Sequence, residues 1–211
     1  MSETFEGVGG DVTYVEQQRF RVANTPSDFG FLEWTYPIDL TSGVSTIASS
    51  GVIQSAQIKI NAPNVAWGET TGGITIATMS VIVQTAGSTL TASQCGMALY
   101  SPSRVLLGST FANTAATDLH TAFASTGLVS GTLTAATGQS LAGLANGTYF
   151  VAISQVGTTP AIFRGTGTVN VNGLLAASAS RYATNDTMTT AFPTTLGTSS
   201  AYNGTFWVGL S

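Results

Sequence analysis

Beyond residue 40, apolar and polar positions alternate with a period of two. In QSAQIKI (54–60), Ile58 and Ile60 fall on one face and Gln57 and Lys59 on the other, which is how a half-buried strand reads. QCGMALYS (94–101) sets Cys95, Met97 and Leu99 against Gly96, Ala98 and Tyr100. In GITIATMSVIVQT (73–85) the apolar face carries Ile74 and Ile76, then changes parity to Met79, Val81 and Val83. One extra residue near Ala77-Thr78 restores the alternation, so a β-bulge is expected there, bending the strand as at a sandwich corner. SRVLLGST (103–110), TGLVSGTLT (126–134) and PAIFRGTGTVNVNGLLAAS (160–178) read as further strands.

Turns separate these runs. Asn-Gly occurs at 146–147, 172–173 and 203–204, and this pair readily adopts the positive φ angles of a tight hairpin. Two of the pairs feed related text, NGTYFVAIS (146–154) and NGTFWVGLS (203–211). Both strands are apolar on both faces, so each is expected to sit centrally, one face on the opposing sheet and the other under a loop or neighbour. For the first, the faces are Tyr149/Val151/Ile153 and Phe150/Ala152. Helix signals are few: TDLHTAFAS (117–125) predicts one or two turns with Thr117 as N-cap. Short strands, Gly-rich turns and almost no helix predict an all-β fold, an antiparallel β-sandwich with jelly-roll connectivity.

Charge divides the chain. Residues 1–39 hold seven acids against Arg19 and Arg21, a net of −5. Residues 40–211 hold three acids against Lys59, Arg104, Arg164 and Arg181, a net of +1. With Pro and Gly in YPIDLTSG (36–43) marking the change, an extended N-terminal arm (1–39) and a sandwich domain (40–211) are expected. The arm either packs on its own domain or docks on a partner subunit. A chain of 211 residues buries roughly 70% of its unfolded surface and needs no staple. Only 8% of residues are charged, so Ser, Thr, Asn, Gln and Gly must cover the surface. The acidic balance argues against nucleic acid, which requires clustered Lys and Arg. No apolar run reaches the length of a membrane span, so no membrane insertion is expected. MSETFEGVGG lacks the basic and apolar regions of a signal peptide. A protein made in the cytoplasm yet written in uncharged, Thr-rich text fits a virion component released by lysis.

Three stretches carry a family resemblance: GMALYSPSRVLLGST (96–110), TAFASTGLVSGTLT (121–134) and SLAGLANGTYFVAISQVGTTPAIFR (140–164). Together they resemble a β-sandwich domain of tailed-bacteriophage virion proteins, which has a G-x-x-LY…G-x-LL strand pair, an STG…L segment and an L-x-x-GTYYVA strand before a Gly-Thr loop. The likeness covers about residues 50–165 and departs from the pattern at Pro102-Ser103, where a Gly-containing hairpin turn is usual. It implies a minor tail, fibre or capsid decoration protein, commonly a homotrimer that contacts other virion proteins. The shared positions are core and turn positions, so no catalytic residue carries over.

Candidate chemistry is sparse. The lone thiol Cys95 and lone histidine His120 form a nucleophile–base pair on paper, yet Cys95 lies on an apolar strand face, where cysteine acts as a small hydrophobe. Paired carboxylates for glycoside hydrolysis would have to come from Glu69, Asp118 and Asp186, each isolated in sequence. No cofactor motif, metal-ligand cluster or nucleophile elbow is present, and the expectation is a protein without enzymatic activity, cofactor or metal. For binding, NAPNVAWGETTGG (61–73) offers Trp67 as a platform for a host-surface glycan, with Asn64 and Glu69 beside it, or as a plug for the end of the sandwich. SRYATNDTMTT (180–190) reads as a solvated polar loop, and Trp207 as core. Trp34 and Tyr36 at the arm boundary, with Arg19 and Arg21, are the candidate assembly contacts. Three placements follow: a tail-associated minor tail or fibre protein, a capsid decoration or head-fibre protein clamped by its arm, or a cellular carbohydrate-binding module.

Overall fold

The computed structural model describes residues 26, 31–35, 43–46, 51–61, 73–111, 118–166, 182–187, 191–197, 200–201 and 205–211. In chain order the strands are β1 (Glu33–Trp34), β2 (Gly43–Thr46), β3 (Val52–Ile60), β4 (Thr78–Thr85), β5 (Ser88–Leu90), β6 (Gly96–Tyr100), β7 (Leu106–Ser109) and β8 (Gly127–Thr132). They continue as β9 (Thr134–Ala135), β10 (Gly147–Ser154), β11 (Gly157–Thr159), β12 (Ile162–Thr166), β13 (Tyr182–Thr187), β14 (Ser200–Ala201), β15 (Thr205–Phe206) and β16 (Val208–Leu210). A single helical turn, α1 (His120–Phe123), lies between β7 and β8. Among the described residues no helix is long and apolar enough to cross a membrane.

Two antiparallel sheets make the sandwich. The first joins β1, β16, β4, β12 and β15, with β8 on β4 and β2 on β12. The second runs β14-β13-β3-β10-β6-β7-β9, and β5 and β11 form a separate ribbon. Alternate residues of both sheets meet between them: Ile58 and Ile60 of β3, Met79, Val81 and Val83 of β4, Met97 and Leu99 of β6, Val151 and Ile153 of β10, Val208 and Leu210 of β16. Each such side chain contributes roughly 1.5–3 kcal/mol when fully removed from water. The expected antiparallel sandwich is therefore the fold. The parity change in 73–85 occurs where expected. The amides of Ala77 and Thr78 both donate to the Ser211 carbonyl, at 2.8 and 2.7 Å, the hydrogen-bond pattern of a bulge.

The strand β10 occupies the middle of the second sheet, between β3 and β6. Its inward residues join the core, while Ala152, with Tyr100, Ala98 and Ile53, packs on the outer side against Phe192 and Leu196. Phe150 is half-buried against the same cluster. The chain thus supplies its own cover, the segment 191–197. Hydrogen bonds hold this segment: Tyr100 Oη donates to Pro193 O (3.0 Å), and Leu106 N to Thr194 O (2.8 Å) and Leu196 N to Arg104 O (2.9 Å). The last two form the antiparallel bridge between Val105 and Thr195, and Arg104 Nη1 donates to Gly197 O (2.9 Å).

Two readings of the sequence need correction. Residues 182–187, expected in a solvated loop, form β13 and pair with β3 from Tyr182↔Ala56 to Thr187↔Val52; a strand can be polar when its backbone, rather than its side chains, makes the attachment. The helical segment is one turn preceded by Leu119 at the N-cap position, and Thr117 lies outside the described residues. The departure at Pro102-Ser103 also has a structural answer. Arg104 N donates to Ser101 O (2.8 Å), closing a turn, and Arg104 then takes φ +66°, the left-handed position where hairpins usually place Gly. Strain there costs on the order of 1 kcal/mol or more. It is offset by the side chain, whose guanidinium lies over the Phe150 ring at 5.3 Å and reaches Gly197.

The first sheet ties residues 31–35 to the last strand, β16. Glu33 and Trp34 of β1 pair with Leu210 and Gly209. Thr35 Oγ1 donates to Phe206 O (3.2 Å) and accepts from Val208 N (3.0 Å). Phe31 meets the buried Trp207 edge to face, ring centroids 5.2 Å apart. Gly209 makes this possible: a Cβ there would stand 2.6 Å from the Phe31 ring. Trp207 is fully buried, as the sequence predicts. Glu33 Oε1 accepts from Asn61 N (2.8 Å), so residues 31–35 also grip the end of β3.

Candidate functional site

The residues singled out for glycan contact, Trp67, Asn64 and Glu69, lie outside the described residues, as do Arg19, Arg21 and Tyr36 of the arm and Arg181 of the 180–190 segment. Trp34 is placed by its backbone in β1, and Tyr182, Asn185 and Asp186 by theirs in β13. None of the proposed contact sets is therefore seen assembled.

The reactive side chains are placed. Asp118 Oδ2 accepts from Ser93 N (2.7 Å) and Oδ1 from Cys95 N (3.0 Å). The His120 imidazole hydrogen-bonds to the same carboxylate through Nδ1 and to Thr121 Oγ1 through Nε2 (3.2 Å). Asp118 thus pins the turn before β6 to the helical turn α1. Cys95 is fully buried, and its Sγ donates weakly to the carbonyls of Thr91 (3.7 Å) and Val156 (3.8 Å). Burial pushes the thiol up to about 11, with Asp118 adding to the effect. Since the thiolate is the nucleophile, this sulfur is poorly suited to attack, and His120 hydrogen-bonds to Asp118 and Thr121 rather than to it. Among the described residues no group of three His, Cys, Asp or Glu could hold a metal.

Among the described residues a notch of about 420 Å³ lies in the edge of the second sheet. It arises because two short segments lie end to end along β7: Thr195 bridges Val105, and Thr134 and Ala135 pair with Ser109 and Gly108. The space between them has an apolar floor of Leu106, Phe111 and Phe192. The two rings pack edge to face at 5.7 Å. Phe111 rests where Gly96 has no side chain; a Cβ at 96 would stand 2.3 Å from it. Thr134, Thr137 and Gln139 form one bank and Thr194 the other, all exposed. Sequence reasoning missed this notch. Its two banks are some 60 residues apart in the chain, and none of its residues forms a periodic or motif signal.

No protein-family model matches the chain, and no curated protein matches it significantly.

Proposed function

We propose that the chain is a non-enzymatic structural protein of a tailed-bacteriophage particle, displayed on the particle surface. In this reading it is tail-associated, a minor tail or fibre protein, assembles as a homotrimer with other virion proteins, and contacts a host-surface glycan. The observation that carries the reading is the two-sided burial of β10 in a chain with 8% charged residues. Such a strand makes a stiff unit, and the groups best able to do chemistry, Cys95, His120 and Asp118, are engaged in holding turns. The resemblance of residues 50–165 to virion sandwiches supplies the setting.

A second reading, capsid decoration or head fibre, gains from the pairing of Glu33-Trp34 with the C-terminal strand, which fixes where the acidic N-terminal segment joins the sandwich. Mass spectrometry of density-purified phage particles tests the shared claim: the chain is expected at a defined copy number per particle. Its absence from particles, with presence in the soluble fraction of cells, contradicts it and favours a cellular carbohydrate-binding module.

A further inference from the structure

We propose that the notch between Thr134–Gln139 and Ala191–Thr194 binds a neutral saccharide. This deepens the glycan-binding part of the reading above and rests on it only for the source of the sugar. A volume of about 420 Å³ falls within the range of roughly 300–1,000 Å³ of small-ligand sites.

Three features specify the ligand class. First, among the described residues no Asp, Glu, Lys, Arg or His lines the notch, so a charged ligand would lose hydration without gaining a partner there. Second, the floor is apolar: the half-buried Phe111 ring, braced edge to face by the buried Phe192, offers apolar surface to the C–H face of a sugar ring. Third, among the described residues the hydroxyls of Thr134, Thr137 and Thr194 and the side-chain amide of Gln139 make no hydrogen bond, whereas the Gln139 backbone N–H is taken by Ala136 O (2.9 Å), leaving side-chain donors and acceptors above the floor. The backbone amides at the ends of the notch are differently placed: Leu106 N is bonded to Thr194 O and Ala136 N to Leu107 O. A peptide adding as a strand finds those positions taken, whereas a polyhydroxyl ligand uses the side chains that remain.

The test is saturation-transfer NMR on the full chain with neutral di- to tetrasaccharides of glucose, galactose, rhamnose and N-acetylglucosamine. Wild type is compared with Ala135→Trp, which fills the notch from an exposed position, and with Thr158→Trp on the exposed β11 ribbon. Thermal unfolding confirms that both variants fold. At least one neutral sugar is expected to bind wild type and Thr158→Trp alike, and to bind Ala135→Trp at least about tenfold more weakly. Binding is expected to be insensitive to ionic strength. Equal affinity for Ala135→Trp, binding confined to sialylated sugars, or no binding by any neutral sugar overturns the proposal. Capture of an apolar tripeptide that Ala135→Trp abolishes, without sugar binding, assigns the notch to a protein partner instead. Particle location does not enter these outcomes, so the virion reading can fail independently.

Discussion

At the scale of single residues, burial decides chemistry. The Cys95 thiol, raised to about 11 by its surroundings, is expected to resist Ellman's reagent at pH 8 in the folded protein and to react at one site per chain after denaturation; fast reaction in native buffer would contradict its placement. Glu33 behaves differently. Desolvation raises its carboxyl above the ordinary 4.5, opposed by hydrogen bonds from Asn61 and by the charge of Lys59. The folded state then holds this proton to higher pH than the unfolded chain does, so its contribution to stability is lost as pH rises through the folded value. Relative to Glu33→Gln, which keeps an acceptor for the Asn61 amide, wild type should lose thermal stability between pH 4.5 and neutrality. Parallel melting curves for the two proteins would sink this assignment. The burial of Cys95 was legible because it shares a strand face with Met97 and Leu99. The role of Arg104 was not, because a left-handed arginine is tolerated only through distant partners, Phe150 and Gly197, that adjacency in sequence does not reveal.

Individual elements show where period-two reasoning works and where it stops. It located β3, β4 and β6 because their side chains segregate between the sheets; β10, apolar on both faces, was marked instead by its Asn-Gly turn and apolar density. It misread 182–187, whose text YATNDT is polar and whose attachment to β3 is made by the backbone. It gave no hint of the segment 191–197, which has no periodic pattern yet completes the outer side of the second sheet. Phe192 is the main anchor of that segment, with 5% of its surface exposed. Phe192→Ala should destabilise the protein by about 3–5 kcal/mol, measured by denaturant unfolding, and should loosen protection of the Leu106 and Leu196 amides in hydrogen exchange. A loss below about 1 kcal/mol would mean that the segment is not an integral layer of the sandwich. A comparable test applies at the other sheet: Gly209→Ala places a methyl group 2.6 Å from the Phe31 ring and should cost about 1–3 kcal/mol by overpacking.

For the whole molecule, the class of fold was readable because alternation, turn chemistry and low charge all point to two antiparallel sheets. The notch was not, since it forms where segments about 60 residues apart meet along one strand edge. The same self-covering of β10 that makes the sandwich stiff lessens the need for a trimer to bury its outer face, so a homotrimer would have to use other surfaces. What remains decisive is where the protein works. Antibody labelling of purified phage particles under the electron microscope tests this most directly. Label is expected on the particle, concentrated at the tail; label spread over the head would move the assignment to capsid decoration, and particles without any label would contradict a virion role.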